Sequence, residues 1–508
     1  MKKTILLLSL LLSFVMQSQT YIDFSASTNG IGTKASPLNN YPTSTIVNGI
    51  YLFKKGTTLT TANSFRISTN NVTVDVYGTG ARPKIIYTGT GKAFDCGSIS
   101  NFKIDSIELI NGTQATTLLH FITGGPVTIS NCLLHGIDTG RWVTWAIRDI
   151  QSTGWLKIIN TKIWYTGNDG VFTQFLDSVE TDHIYIHDVN RLYSRSTNQS
   201  VSGGDGFQMS VVKYFYIHDS KFDHDSTGNK FCVISENSDA TTPTTSTGLF
   251  LRDTFTRTNE GTGVYLYSDQ IGIKFQNCVF QNMSWGVQSE ATNLTFTNNI
   301  FSNISDRCLE GLGNGGNTSF TNCDFLNVNK IIAEDYNENV SFVNNIVSNC
   351  TGTAFQVTKL TNSYNDFYKV STLGATAGTG CINADPLFNA DFSLKMGSPC
   401  LKTGLNGVDM GAISSSVIIY PTAQINAVIS PSNATNQVLN WTSSNPAIAT
   451  VDQTGKVTGL TTGITYIKVI STDGTNLKDS ALITVVKPVI KMQTLSISNK
   501  NINLTLQQ

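Results

Sequence analysis

Short bursts of alternating apolar and polar residues run through most of this chain, and helical spacing is absent from them. From about residue 102 a six-residue phrase recurs: apolar, any, Asn or Asp, any, any, apolar. It reads Ile129-Ser130-Asn131-Cys132-Leu133-Leu134, then Ile158 to Ile163 around Asn160, then Ile217 to Phe222 around Asp219. Later copies centre on Asn277, Asn298, Asn322 and Asn344, each flanked by Phe, Ile or Val, and weaker ones on Ser106, Asp188 and Asp253. The step between centres is 21 residues from Asn277 to Asn298 and 34 from Asp219 to Asp253. Alternation at period two predicts strands with one buried face. A repeat of just over twenty residues carried by such strands predicts a β-solenoid, whose coils bury their apolar residues only by stacking. Asn and Asp suit the bends, because they tolerate a left-handed backbone and can bond their neighbours along the stack.

Each coil has a further strand, clearest in Gly204-Asp205-Gly206-Phe207-Gln208-Met209 and its neighbours Asn168-Asp169-Gly170-Val171-Phe172 and Asn229-Lys230-Phe231-Cys232. Aligned by distance from the bend, Asp169, Asp205 and Asn229 take one place in three consecutive coils, roughly 5 Å apart. Alternation then turns Val171, Phe207, Phe231, Val264, Val287 and Leu309 inward. It turns Phe172, Gln208, Cys232, Tyr265, Gln288 and Glu310 outward, with Lys230, Tyr267 and Glu290 on the same open face. The longest coils lie between Asn131 and Asp253, so extra loops such as 235–247 are expected to wall a groove there.

The repeat resembles the right-handed parallel β-helix of the pectate-lyase-like superfamily, with its asparagine ladder, over about residues 45–413. Asp385-Pro386-Leu387-Phe388, Gly397-Ser398-Pro399-Cys400 and Asp409-Met410-Gly411-Ala412 resemble the closing motif of secreted bacterial β-helix proteins, in which Cys381 and Cys400 are candidates to pair. Beyond Ser416, Trp441-Thr442-Ser443-Ser444-Asn445-Pro446-Ala447 and Gly455-Lys456-Val457-Thr458-Gly459 resemble the bacterial immunoglobulin-like group 2 domain. The expected fold is therefore all-β: a right-handed parallel β-helix with a small C-terminal immunoglobulin-like β-sandwich. The expected boundaries are a signal peptide at 1–19, an N-terminal cap at 20–48, the helix at 49–416 and the sandwich at 417–488, with 489–508 opening a second such repeat.

Composition narrows the class. Lys2 and Lys3 precede the apolar run Ile5 to Met16, the pattern of a secretory signal, so the protein is expected to be secreted or held at the cell surface. No segment is long and apolar enough to span a membrane. A net charge of −1 over 508 residues, with 14% charged residues, leaves no electrostatic footprint for nucleic acid. Nine cysteines without metal-ligand spacing leave at least one thiol unpaired in what is expected to be a monomer.

Chemistry is expected on the open strand face, where polysaccharide-active relatives of this superfamily hold substrate. In a polysaccharide lyase, a base removes the proton α to a uronate carboxylate while a cation neutralises that carboxylate. Lys230 is the candidate base, with Tyr265 or His224 as substitutes. Asp169 and Asp205 are the candidate ligands for Ca²⁺, and Gln208, Asn229, Tyr267, Gln288, Glu290 and Glu310 the candidate sugar contacts. In a hydrolase, the Asp169–Asp205 pair would serve as acid and base or nucleophile. In a non-catalytic adhesin, the same row would only bind glycan. The run His218-Asp219-Ser220-Lys221-Phe222-Asp223-His224-Asp225 has the look of a metal cluster, but Asp219 reads as a ladder residue and His218 as an outward strand position. The tryptophan-containing Asp-His signature of the main pectate lyases is missing, as are the paired-Asp and Arg-x-Lys signatures of polygalacturonases. Only the broad class, a polysaccharide-directed protein, is therefore implied.

Overall fold

Parallel pairing of strands more than twenty residues apart organises the chain. The computed structural model describes residues 17–485 apart from 41–45, 98, 114, 123–124, 138–142, 151–153, 190–203, 225–230, 237–245, 258–260, 269, 312–315, 337–338, 390–391, 396, 413–415, 420–421, 426, 428–437, 461–462 and 473–477. The leader expected at 1–19 falls largely outside these residues, and the second immunoglobulin-like repeat expected at 489–508 wholly so. No described helix is long and apolar enough to cross a membrane.

The chain divides into two compact units. The first comprises residues up to Pro386 together with Pro399–Ala412, and the second Leu387–Ser398 with the chain from Ile413 onward. In the first, fourteen strands stack into one parallel sheet, here sheet A, running from Gln19–Ile22 to Leu360–Ser363. The strand Gln19–Ile22, which crosses the boundary between the expected leader and the expected cap, is the first of them. Twenty-two further strands form a second sheet that covers two faces of each coil. Face B runs through Leu133–Gly136, Lys162–Trp164, Tyr185–His187, Lys221–His224 and Thr254–Arg257. Face C runs through Trp145–Ile150, Val171–Gln174, Phe207–Ser210, Phe231–Glu236 and Thr262–Leu266. Later strands such as Val279–Ser289 and Ile300–Gly311 bend and serve both faces.

The interior explains the apolar phrase. Phe250, Phe275, Phe296 and Phe320 stack coil upon coil at 4.4–4.9 Å between ring centroids, and Phe255, Phe280, Phe301 and Phe325 do so at 4.8–5.1 Å. Burying one such ring is worth about 1.5–3 kcal/mol, and the stacked geometry adds to it.

The bends between sheet A and face B carry the left-handed residues. Ser106, Asn131, Asn160, Asp219, Asn277, Asn298, Asn322 and Asn344 all have φ between 44° and 59°. Asn160 donates to Asn131 at 2.7 Å, and Asn131 to Asp105 at 2.8 Å. Two expected centres are corrected: the bends fall at His183 and Arg252, while Asp188 sits at the next corner and Asp253 one place further in. In both coils the bend itself carries His or Arg instead of Asn or Asp, so the phrase settles on the next aspartate along the chain, five residues on at Asp188 and one residue on at Asp253.

The residue after each bend forms a second, internal ladder. Asp253 accepts from the Ser220 N–H, Asn299 from Cys278, Asn345 from Cys323 and Asn365 from Asn345, at 2.8–2.9 Å. Cys132, Cys278 and Cys323 are small buried members of this column. All nine cysteines are free, so the pairing expected of Cys381 and Cys400 does not form; Cys400 Sγ lies 3.2 Å from Asp366 Oδ2 instead. Pro399–Ala412 folds back on the last coils, with Gly411 N–H donating to the Asn344 carbonyl and Leu405 N–H to Asn344 Oδ1.

In the second unit, antiparallel strands Leu439–Ser443, Gly463–Ser471 and Lys478–Val485 pair in one sheet and Thr422–Gln424, Lys456–Gly459 and Ala449–Val451 in another. Trp441, Ala449, Val457, Ile467 and Ile483 form its separate core.

Candidate functional site

Face C is where coil register decides which side chains meet. Val171 pairs with Phe207, Phe207 with Val233, Val233 with Val264, then Val287 and Leu309, and all six are fully buried. Two residues upstream, the same register sets Asp169 beside Asp205 and Asp205 beside Phe231. The row expected to continue to Asn229 therefore continues to Phe231, and on to Thr262, Trp285, Arg307 and Lys330. Phe231 and Cys232 depart from their expected faces: Phe231 is half-buried on the row of Asp205, with its ring turned out against Tyr265, and Cys232 is buried, while Ile234 takes the place on the outward row expected of Cys232. The two-residue slip arises in the coil with the longest step between centres, 34 residues from Asp219 to Asp253, where counting from the bend no longer fixes the register. Asn229 and Lys230 lie outside the described residues. His224 closes the face B strand Lys221–His224 opposite Arg257, and its side chain also lies outside them.

Between Asp205 and Phe207 the corner requires glycine. A Cβ on Gly206 would sit 2.3 Å from the Cys232 carbonyl oxygen, and one on Gly263 would sit 2.6 Å from that of Gly286. The Asp-Gly pairs are thus set by this tight approach.

Asp169 and Asp205 do stack, and both are buried. Asp169 Oδ1 accepts the Asp205 backbone N–H at 2.8 Å, and Oδ2 accepts Trp145 Nε1–H at 3.0 Å. Asp205 Oδ1 accepts the Phe231 N–H at 3.0 Å. Burial, with the Asp205 carboxyl beside it, pushes Asp169 well above the usual carboxylate range. Calcium needs ionised oxygens free to coordinate it, whereas both Asp169 oxygens and Asp205 Oδ1 receive N–H donors. The pair does not fit the cation expected there. A different group, Asp182, His218 and Asp219, offers three ligand atoms within 4.8 Å of one another at the end of sheet A. It is able to hold a metal ion, but its imidazole is not specific to calcium, and Arg252 already grips Asp219 with two hydrogen bonds of 2.6 Å.

The outward row of face C reads Phe172, Gln208, Ile234, Tyr265, Gln288 and Glu310. Its upper part is a compact polar cluster. Tyr265 donates to Glu290 Oε1 at 2.6 Å, stacks on Phe231 at 4.9 Å and meets the edge of Tyr267 at 4.6 Å. Burial and the Glu290 carboxylate push the Tyr265 hydroxyl up, so it stays protonated. One rung on, Gln288 stands between Tyr265 and Glu310. Arg307 donates to Glu310 at 2.9 Å and to Asp306 at 3.0 Å, with its guanidinium carbon 5.3 Å from the Trp285 ring centroid. Asp306 also accepts from Trp285 Nε1 at 2.9 Å and Lys330 Nζ at 3.4 Å. These contacts hold Asp306 below the usual carboxylate range against its partial burial.

Tyr265, Tyr267, Gln288, Glu290 and Glu310 therefore come together, while Gln208 lies on the same row two rungs away. Sequence reasoning missed Trp285, Asp306, Arg307 and Lys330 as members of the cluster. The coil alignment already set Trp285 and Arg307 in the row of Asp169, and an aromatic beside a cation there was the available signal. At the other end of face C, Asp95, His120 and Arg148 occupy the same row in earlier coils; no motif marks them.

Comparison with known proteins agrees at the level of domains. Residues 244–385 match the family described as right handed beta helix region, and residues 409–481 match the bacterial Ig-like domain (group 2). Two uncharacterized proteins of Clostridium acetobutylicum are 35% identical over 71 residues and 33% identical over 84. These matches cover 14% and 16% of this chain and only 7% and 21% of the relatives, so the chain spans less than a quarter of their length. Among solved structures, the pectate lyase Pel9A aligns with a TM-score of 0.39 at 12% identity, over 78% of this chain and 96% of that one. A GH136 lacto-N-biosidase from Eubacterium ramulus aligns with a TM-score of 0.31 at 9% identity, over 68% and 67%.

Proposed function

Starting from a chain that consists of a right-handed parallel β-helix followed by a group 2 bacterial Ig-like domain, we propose an exported, polysaccharide-cleaving enzyme. Its substrate lies along face C and contains uronic acid, and the bond breaks by β-elimination. The observation that carries this reading is the Tyr265–Glu290 hydrogen bond of 2.6 Å with Gln288 and Arg307 on the next two rungs. None of these outward side chains is needed to fill the core, and together they supply the donors that elimination requires.

In this reading Gln288 and Arg307 face the uronate carboxylate, and Asp306 and Glu310 keep the Arg307 guanidinium in place. A base takes the α proton, the electron pair is held on the neutralised carboxylate, and the C–O bond to the leaving sugar breaks. Lys230 remains the proposed base. A hydroxyl that stays protonated is better suited to give a proton than to take one, so Tyr265 becomes the acid that protonates the leaving oxygen. The test is the product formed from a panel of uronic-acid polysaccharides. Elimination yields an unsaturated uronide absorbing in the ultraviolet, and the Lys230→Ala variant should form none of it. Cleavage without ultraviolet absorption would reject elimination. One feature favours hydrolysis in that event: Glu290 and Glu310 are diagonal neighbours, about 8 Å apart on backbone spacing, within the range used by inverting glycosidases.

A further inference from the structure

Four rungs from Tyr265 on the same outward row stands Arg148, and its surroundings are those of a built cation. The row runs Asp95, His120, Arg148, Phe172, in register across successive coils. The guanidinium carbon lies 5.1 Å from the Trp145 ring centroid and 5.9 Å from that of Phe172, so two rungs of aromatic rings frame it. Arg148 Nη1 lies 3.3 Å from His120 Nε2. Burial holds His120 down to about 4, so the imidazole is neutral and accepts this hydrogen bond. The other ring nitrogen lies 3.4 Å from Asp95 Oδ1, and Asp95 in turn pairs with Lys92 at 3.1 Å.

The charges nearby do not cancel Arg148. Asp95 is matched by Lys92, and Asp149 is fully buried on the inward side of the strand. Asp169, which bonds the Trp145 indole, is pushed toward its neutral form. Among the described residues no carboxylate lies within 4.0 Å of the Arg148 guanidinium; exposed Arg66, three rungs away on the same row, has no ion pair either, whereas Arg307 and Arg252 each hold at least one carboxylate. A planar cation fixed by a neutral imidazole and two rings stands on the face proposed to carry glycan. Guanidinium pairs well with planar or tetrahedral oxyanions.

We propose that Arg148, with Trp145 and Phe172, forms a remote subsite that binds an anionic group, a carboxylate or a sulfate ester, on a sugar unit roughly 19 Å along the chain from Tyr265. This deepens the reading of face C given above and adds a length requirement to it. Only oligosaccharides long enough to cover four rungs engage both places.

Equilibrium binding tests the subsite apart from cleavage. Wild type and Arg148→Gln are titrated calorimetrically with size-fractionated oligogalacturonates, a sulfated galactan and the same galactan without sulfate, all in the Tyr265→Phe background. The subsite predicts that Arg148→Gln weakens binding of one acidic probe at least tenfold and leaves the unsulfated polymer unchanged. The effect should vanish for oligomers too short to span four rungs when these occupy the Tyr265 end. Whichever acidic probe responds identifies the anion. Equal affinity of the two proteins for both acidic probes, or no binding of either by wild type, overturns the subsite. Product formation in the separate ultraviolet assay is untouched by that result, so failure of the subsite and failure of the elimination reading are told apart. Thermal melts of both variants confirm that the outward substitution leaves the coils intact.

Discussion

Tyr265 and Glu290 are the residues on which the chemistry of face C turns. Removing the hydroxyl with Tyr265→Phe leaves the ring stacked on Phe231 and deletes only the donor. Loss of a general acid lowers kcat about 10²- to 10⁴-fold. Steady-state kinetics should show that fall with KM nearly unchanged, and an unaltered kcat would remove Tyr265 from the mechanism. Arg307 sets a contrasting expectation. Its side chain is 12% exposed and that of Glu310 8%, so Arg307→Met strands a buried carboxylate. Breaking such a pair costs about 3 kcal/mol, and urea unfolding should reveal it as a lowered midpoint. Asp169 and Asp205 illustrate how residue type alone misleads. Two aspartates in consecutive coils read equally well as ligands, as a catalytic pair or as corner acceptors. The N–H groups that reach them decide for the last, and those N–H groups belong to rungs 26 and 36 residues away.

At the scale of the coil, the internal polar ladder is the element that keeps neighbouring rungs in step. Asn345 accepts from Cys323 N–H, donates to the Phe320 carbonyl and meets Asn365. Asn345→Ala leaves those backbone groups buried without a partner, each costing about 1–3 kcal/mol. A loss of at least 2 kcal/mol in denaturant unfolding is expected, and a smaller one, about 1 kcal/mol from the left-handed backbone alone, for Asn349→Ala, an exposed residue with φ 69° that donates to Asn327. The closing segment carries its own pH signature. Burial pushes Asp366 up to about 6 in the folded protein. Unfolded, it titrates near 4. The native state then holds the extra proton between these values, so this carboxyl's contribution is most favourable below about 4 and is lost as pH rises to about 6. Comparing melting temperatures of wild type and Asp366→Asn across that window should show the difference widening toward pH 6 and flat beyond it.

Across the whole molecule, burial governs the cysteines. Eight of the nine thiols are buried and Cys381 is half-buried, and none pairs with another. A thiol reagent should therefore modify at most Cys381 under native conditions and all nine after unfolding without reductant; fewer than nine would reveal a disulfide. The same contrast between local and distant information separates what was readable from the chain. The β-helix, its inward phenylalanine columns, the asparagine bends and the immunoglobulin-like second unit were legible from sequence, because a short period repeated many times averages away local ambiguity. Three decisions needed the tertiary structure: that Phe231 and not Asn229 follows Asp205, that Asp169 and Asp205 cap backbone N–H groups, and that Arg148 stands on the row of Tyr265. Each depends on register between strands separated by loops of unequal length. Side-chain direction reverses with a slip of one residue and the row shifts with a slip of two, so only stacked coils settle which residues share a face.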